Sequence, residues 1–415
     1  MFSPVISTKA VTVYNGNCLN VLKQLPDNSV HAIVTDPPYG LNAMPPDMIN
    51  AAISAWVSGN REHVPDGKGH MGHEWDRFVP PPAVWDECLR VLKPGGFLAA
   101  FAGSRTVDLM GLSLRLAGFE VRDTLAYIYK SGMPKSMDVS RAIDKAAGAE
   151  RTVKRGVKPG HEEFVGRDHL GALRDNGVFA DKGGFSRPWM HDKQKIEDAH
   201  WDFEPVTDAA KRWDGYGTSL KPAVEPIVLC RKPLQEKTVA NNLIEHGVGA
   251  LNIEVSRIGT SGGSTQPSGF NRVNKRNAEE GFRPGAYQKR TPAPPPEKGR
   301  YPSNVIVGEE VADRIEDAEK FFCCPKAPTK ERPEYIDSDG KKIRHPTVKS
   351  LELMKWVTSL VCPDGGVVLD PFAGSGSTLE AAVTGGFTAI GIEQHEPYIP
   401  LIQQRVDRAV APTVS

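Results

Sequence analysis

Along the first 130 residues, short apolar runs alternate with stretches of helical spacing. Val11-Thr12-Val13-Tyr14 reads as a strand, turned by Asn15-Gly16-Asn17. Leu19, Leu22 and Leu25 then give Cys18 to Leu25 one helical face. The run Val30 to Val34 predicts a buried strand of a parallel sheet. Pro82 to Leu92 follows as a helix with Val84, Cys88, Leu89 and Leu92 on one side, stopped by Lys93-Pro94-Gly95-Gly96. Phe97 to Ala102 is a strand, Val107 to Ala117 a helix ended by Gly118, and Leu125 to Lys130 a strand. Strands alternating with helices predict a doubly wound, mostly parallel α/β sheet. Residues 41–80 have no strong period and many Gly, Pro and His; they are expected to form a long loop over the carboxyl edge of the sheet.

The pattern fades over 131–220, a polar stretch with scattered Trp189, Trp201 and Trp213. Pro226 to Leu229 is strand-like and is expected to pair with Leu125–Lys130, closing the sheet. Residues 259–303, rich in Gly, Ser, Pro and Arg, read either as a linker or as a segment ordered by a phosphate backbone. Regular spacing resumes near residue 345. Leu351, Met354, Val357 and Leu360 mark a helix, Val367-Val368-Leu369 a strand, Ser377 to Thr384 a helix, Phe387 to Ile392 a strand, and Tyr398 to Val410 a closing helix.

Two stretches carry candidate chemistry. The first is Thr35-Asp36-Pro37-Pro38-Tyr39-Gly40, at the end of the Val30–Val34 strand. Open α/β sheets place their ligands at that end. Pro37 and Pro38 have fixed φ and no N–H, which holds the Pro37 carbonyl outside any sheet ladder. One carboxylate, one rigid carbonyl and one aromatic face within four residues suit a planar amino group on a flat ring. Taken alone, the stretch also reads as a strand ending in a proline turn, with Asp36 as a cap.

The second is Asp370-Pro371-Phe372-Ala373-Gly374-Ser375-Gly376-Ser377-Thr378, with Glu393 at the tip of the following strand. Strand, glycine turn, helix, strand and acidic residue form the nucleoside-binding layout, with Glu393 placed to accept from two ribose hydroxyls. A P-loop would need Gly-Lys-Ser/Thr after the turn, and no lysine is present. A dinucleotide site would want a third glycine where Leu379 stands. An S-adenosylmethionine site has no pyrophosphate to hold and tolerates this variant.

Composition narrows the partners. The chain has 415 residues and no formal net charge, which argues against a general polyanion binder. Residues 130–350 nevertheless carry 38 Lys and Arg against 32 Asp and Glu, and 271–300 carry eight against three. A mildly basic middle is compatible with nucleic-acid contact. The six cysteines lack metal-ligand spacing, so no metal site is expected and reduced cytoplasmic thiols are the simpler reading. Met1 to Ala10 shows no signal-peptide pattern, and no apolar run has the length of a membrane span.

Together the two stretches resemble the amino-group DNA methyltransferases in their permuted, β-class order. Asp-Pro-Pro-Tyr (36–39) comes first, a recognition insertion follows, and the Asp-Pro-Phe-Xaa-Gly-Ser-Gly motif (370–376) comes last. The matching blocks cover roughly 11–40, 82–130, 221–232 and 343–408. The resemblance implies a Rossmann-like S-adenosylmethionine-dependent fold, with 1–130 and 341–415 as the catalytic domain. It makes 131–340 the inserted target-recognition region, with 221–232 returning a strand to the sheet.

The resemblance further implies that Asp36 and the Pro37 carbonyl hold the target amino group and that Tyr39 stacks on the extruded base. Asp370, Phe372, Gly374, Ser375, Gly376, Ser377 and Thr378 form the cofactor side with Asn17 and Cys18. Glu393 binds the ribose, and Thr347 and Lys349 lie near the methionine carboxylate. Asn17 stands where the family usually has Asp, and Ser350 where it usually has Pro. The expected activity is methyl transfer from S-adenosyl-L-methionine to adenine N6 in duplex DNA with base flipping, with cytosine N4 as the alternative. Asp at position 36 is commoner with adenine, Ser with cytosine N4. Cytosine C5 chemistry would need a Pro-Cys pair, and Cys324-Pro325 and Cys362-Pro363 run the other way. The enzyme is expected in the cytoplasm as a monomer or homodimer. Recognition sequence and any restriction-endonuclease partner are not readable.

Overall fold

A computed structural model describes residues 2–41, 44–67, 69, 74–130, 136–158, 161–162, 165, 193–258, 299–312, 314–315, 318 and 321–411. Its strands in chain order are β1 (Ile6–Ser7), β2 (Val11–Asn15), β3 (Val30–Thr35), β4 (Leu92–Phe101), β5 (Glu120–Ile128), β6 (Lys154–Val157), β7 (Trp201–Phe203), β8 (Val224–Arg231), β9 (Val305–Gly308), β10 (Phe322–Cys324), β11 (Glu334–Ile336), β12 (Lys342–Arg344), β13 (Val367–Asp370) and β14 (Thr388–Glu393). The chain divides into two compact units. One comprises Met1–Lys130, Ala223–Tyr335 and Ile343–Ser415, the other Ser131–Pro222 and Ile336–Lys342.

The first unit is built on one sheet in the order β1-β2-β14-β13-β3-β4-β8-β5-β9-β10. Parallel pairing dominates, as in a Rossmann-like methyltransferase fold; only β1 with β2, and β8 with its two neighbours, run antiparallel. The last two strands of the chain are inserted between its second and third. Val368 and Leu369 of β13 lie opposite Ala32 and Ile33 of β3. Chain ends more than 300 residues apart are thereby neighbours at the centre of the sheet.

Alternation along these strands feeds two cores, one on each face. Val11, Val13, Ala32, Val34, Ala99 and Val368 face the helices Leu351–Val361, Ser377–Thr384 and Ile399–Val410. Val30, Ile33, Leu98, Ala100 and Leu369 face Cys18–Leu22, Pro46–Val57, Pro82–Val91 and Val107–Leu116. Burying both faces explains why β3, β4 and β13 read as continuous apolar runs.

Three expectations need correction. Residues 41–80 are not one long loop: Pro46–Val57 is a helix. Proline at its first turn costs no hydrogen bond, and Ala52 and Trp56, one turn apart, bury a stripe too narrow to stand out in the sequence. Trp56 meets Phe78 edge-on at 5.8 Å between ring centroids. Second, β8 does pair with β5, from Glu120↔Arg231 to Ile128↔Val224, but it also pairs with β4 and so separates the two. Third, β9 and β10 extend the sheet beyond β5, in a stretch without a readable pattern. The expected readings for Trp189 and for most of 259–303 fall outside the described residues.

The smaller unit pairs β6 with β7 and packs the helix Val139–Ala146 against Asp208–Arg212. Asp144 is its hub. It accepts from the Val206 and Thr207 N–H groups at 3.0 Å each, from Thr207 Oγ1 at 2.7 Å and from Arg151 Nε at 2.7 Å. Among the described residues no helix is long and apolar enough to cross a membrane.

Candidate active site

The parallel strands β3 and β13 end side by side, and each delivers one of the two sequence stretches. Thr35 Oγ1 donates to Asp370 Oδ1 at 2.7 Å, and the Phe372 N–H donates to the same oxygen at 3.0 Å. Asp370 is buried, and burial pushes its carboxyl up to about 6 against the pull of Thr35, Thr378 and the Phe372 N–H. It joins the two strand ends and has almost no surface left for a ligand. Beyond it the backbone turns through Gly374 and Gly376, at φ +53° and +84°, a region that L side chains rarely adopt. A Cβ on Gly374 would lie 3.0 Å from His345 Nε2, so the imidazole would have to give by a few tenths of an ångström. Gly376 caps Ser377–Thr384. Ser375, Ser377 and Thr378 are buried beneath the turn, with 3.5 Å between the two serine hydroxyls. Phe372 packs edge-on against Trp85 at 6.3 Å.

Glu393 ends β14, next to β13, and backbone groups hold both of its oxygens. The Gly374 N–H donates to Oε2 at 2.7 Å and the His395 N–H to Oε1 at 2.7 Å. Burial still prevails and pushes its carboxyl up to about 7. Gly16 N–H and Asn15 Nδ2 donate to its backbone oxygen at 3.0 and 2.8 Å, which brings the first turn of the chain to the same edge. Asn17 caps the helix Cys18–Leu22 through its side-chain oxygen and reaches Gln394 with its amide nitrogen at 3.5 Å. Burial pushes the neighbouring Cys18 thiol up to about 12.

The other half of the site is an ionic cluster. Asp36 Oδ2 lies 2.6 Å from Lys349 Nζ, and its Oδ1 accepts from Tyr39 Oη at 2.5 Å. Glu225, at the start of β8, completes it: its Oε1 lies 2.9 Å from Tyr39 Oη and 3.3 Å from Lys349 Nζ. Because β8 runs antiparallel, its first residues lie at the edge where the parallel strands end, as the Phe101↔Ile227 pairing shows. Burial opposes the charge on Lys349, but Asp36 and Glu225 outweigh it and hold the ammonium above its usual range. Burial first, and then the same two carboxylates, push the Tyr39 phenol well above its ordinary value.

The backbone after Asp36 is held by groups that no sequence pattern marks. Asp76, itself buried, accepts from the Tyr39 and Gly40 N–H groups at 2.8 and 3.0 Å. Thr106 Oγ1 donates to the Tyr39 carbonyl at 2.7 Å. Pro37 is buried and Pro38 half-buried beside them. His345 bridges toward the cofactor turn, its Nδ1 2.5 Å from the Thr347 carbonyl and its ring edge-on to Tyr398 at 4.8 Å.

The structure thus gathers Asp36, Pro37, Tyr39 and Lys349 at the end of β3, and Phe372, Gly374, Gly376 and Glu393 at the adjoining ends of β13 and β14. It places Lys349 on Asp36, and Asp370 below the surface. Glu225, Asp76 and Thr106 escape sequence reasoning. The one hint for Glu225 is a carboxylate heading the apolar run Pro226–Leu229.

A doubly wound sheet with a glycine turn beside a strand-end carboxylate is the arrangement expected of a methyltransferase of the amino-group class. Comparison with known proteins agrees. The chain matches the DNA methylase family of N6 and N4 enzymes over residues 30–404 and belongs to it. S-Adenosyl-L-methionine is the methyl donor of that family. The chain is 24% identical over 399 residues to the type II methyltransferase M.HindIII of Haemophilus influenzae, covering 92% of this chain and 91% of that one. It is 42% identical to the DNA adenine methyltransferase YhdJ of Escherichia coli over 65 residues, 16% of this chain and 22% of that one. Among solved structures, a DNA modification methylase of Thermus thermophilus complexed with S-adenosyl-L-methionine aligns with a TM-score of 0.39 at 17% identity, covering 96% of each chain.

Proposed function

We propose that this enzyme methylates the exocyclic N6 of adenine in duplex DNA, with the target base flipped out of the helix. The observation that carries the reading is the carboxylate of Asp36, next to a rigid Pro37 carbonyl and one strand away from the Gly374–Gly376 turn. Positive-φ glycines and a backbone-held carboxylate suit an adenosyl group: Gly374, Gly376 and Phe372 would line it and Glu393 would take its ribose hydroxyls. Bound there, S-adenosyl-L-methionine supplies an electrophilic methyl on a sulfonium.

The chain's own work is to ready the acceptor. An amine on adenine is a poor nucleophile, because its lone pair is delocalised into the ring. Hydrogen bonds from its two N–H groups to Asp36 and to the Pro37 carbonyl draw nitrogen toward tetrahedral geometry. Asp36 then stabilises the positive charge that develops, an effect worth about 3–4 kcal/mol for one preorganised group. Extruding the base costs a few kcal/mol, and stacking on Tyr39 returns roughly 1–3 kcal/mol. Lys349, 2.6 Å from Asp36, holds that carboxylate in place until the amine arrives. Target recognition falls to the part of the region 131–340 that lies outside the sheet strands β8, β9 and β10; the region's share of the basic residues supports this. Nucleoside mass spectrometry of duplex DNA methylated by the purified protein is the test. N6-methyladenine is the expected product, and N4-methylcytosine would replace the adenine assignment.

A further inference from the structure

Methyl transfer to an amino group leaves a positive nitrogen, and one of its protons must then depart. Asp36 is the adjacent carboxylate, but both of its oxygens are already engaged, Oδ2 by an ammonium at 2.6 Å and Oδ1 by a phenol at 2.5 Å. Beyond the phenol lies a second carboxylate, Glu225, 2.9 Å from Tyr39 Oη. Tyr39 owns one hydroxyl proton and has two carboxylate oxygens within reach, so it serves one of them at a time. The other groups facing Glu225 are Lys349, Tyr127 of β5 and Tyr129 just beyond it. Two carboxylates around one ammonium leave a surplus negative charge, matched to one incoming proton.

We propose that Glu225 is a positioning residue acting through Tyr39, and that it receives the proton released by methyl transfer. The N–H bond of the methylated amine breaks as an O–H bond forms on Asp36. That O–H bond then breaks as the Tyr39 oxygen takes the proton. In the same step Tyr39 gives up its own hydroxyl proton, and an O–H bond forms on Glu225. The phenol is neutral before and after, in keeping with its raised pKa. Glu225, whose side chain is 18% exposed, passes the proton to water.

The inference rests on the amino-methyltransferase reading, and the test separates the two. The 415-residue protein is assayed for steady-state turnover, read as labelled methyl transferred from S-adenosyl-L-methionine to duplex DNA, in light and heavy water. If the wild-type protein transfers no methyl to an amino nitrogen, the reading of the site itself fails. With wild type active, Glu225→Gln keeps an acceptor for the phenol but takes no proton. It is expected to slow turnover about tenfold or more. It should also enlarge the solvent deuterium isotope effect and leave the cofactor dissociation constant within about twofold of wild type. Tyr39→Phe interrupts the same path and should enlarge the isotope effect likewise, which keeps the test open if Glu225→Gln folds poorly. An unchanged rate in Glu225→Gln overturns the proposal. So does a slower rate with the isotope effect of wild type, because a purely structural role produces that result.

Discussion

The two halves of the site lie one strand apart and are built on opposite plans. In the cofactor half, carboxylates are held by backbone: Glu393 by the Gly374 and His395 N–H groups, Asp370 by the Phe372 N–H with help from Thr35. Nearly all of that half comes from one βαβ unit. The target half is made of side chains meeting side chains, with Asp36, Tyr39, Glu225 and Lys349 drawn from three distant segments. Backbone-held carboxylates keep their geometry when a neighbouring side chain changes. In a shared ionic cluster each member sets the charge state of the others. Substitutions in the target half should therefore act on rate, and those in the cofactor half on binding.

The largest effect is expected at Asp36. Asp36→Ala should lower methyl transfer to DNA by about a hundredfold to a thousandfold or more. Cofactor affinity measured by calorimetry should survive, and a near-normal rate would refute the role given to this carboxylate. Next comes Tyr39. Tyr39→Ala loses the stacking face and should slow transfer more than Tyr39→Phe or Tyr39→Trp, by about tenfold. Equal rates for all three would mean that stacking is not its contribution.

The cofactor half should answer differently. The carboxyl of Glu393 sits at about 7, and ribose hydroxyls donate best to its ionised form. Affinity for S-adenosyl-L-methionine should accordingly rise by about tenfold between roughly pH 6 and pH 8, as the group loses its proton. Glu393→Gln should bind more weakly and flatten that dependence; a flat profile in the wild type would break the link between this carboxylate and the cofactor. The smallest effect on chemistry is expected at Asp76. Asp76→Ala strands the Tyr39 and Gly40 N–H groups and should cost about 1–3 kcal/mol of stability, read as a lower melting temperature. Its cofactor affinity should stay unchanged, and a loss there would merge the two halves that the geometry separates.

Much of this molecule is legible in its sequence because the relevant physics is local. Continuous apolar runs become central strands, buried on both faces. The helix Ser377–Thr384 starts where the glycine turn ends, and Glu393 stands at the tip of the strand that follows. Asp36, Pro37 and Tyr39 share a strand end, so their proximity needs no knowledge of the fold.

The tertiary structure decided what depends on strand order and strand direction. The insertion of β13 and β14 between β2 and β3 joins the two halves of the site. The antiparallel run of β8 carries Glu225 to the edge where the parallel strands stop. Lys349 belongs to Asp36 through a contact that spans 313 residues of chain. Hydrophobic spacing records which face of a segment is buried, but not which segment lies beside it or in which direction it runs. A lone polar side chain such as Glu225 or Asp76 therefore acquires its meaning only when the sheet has closed around it.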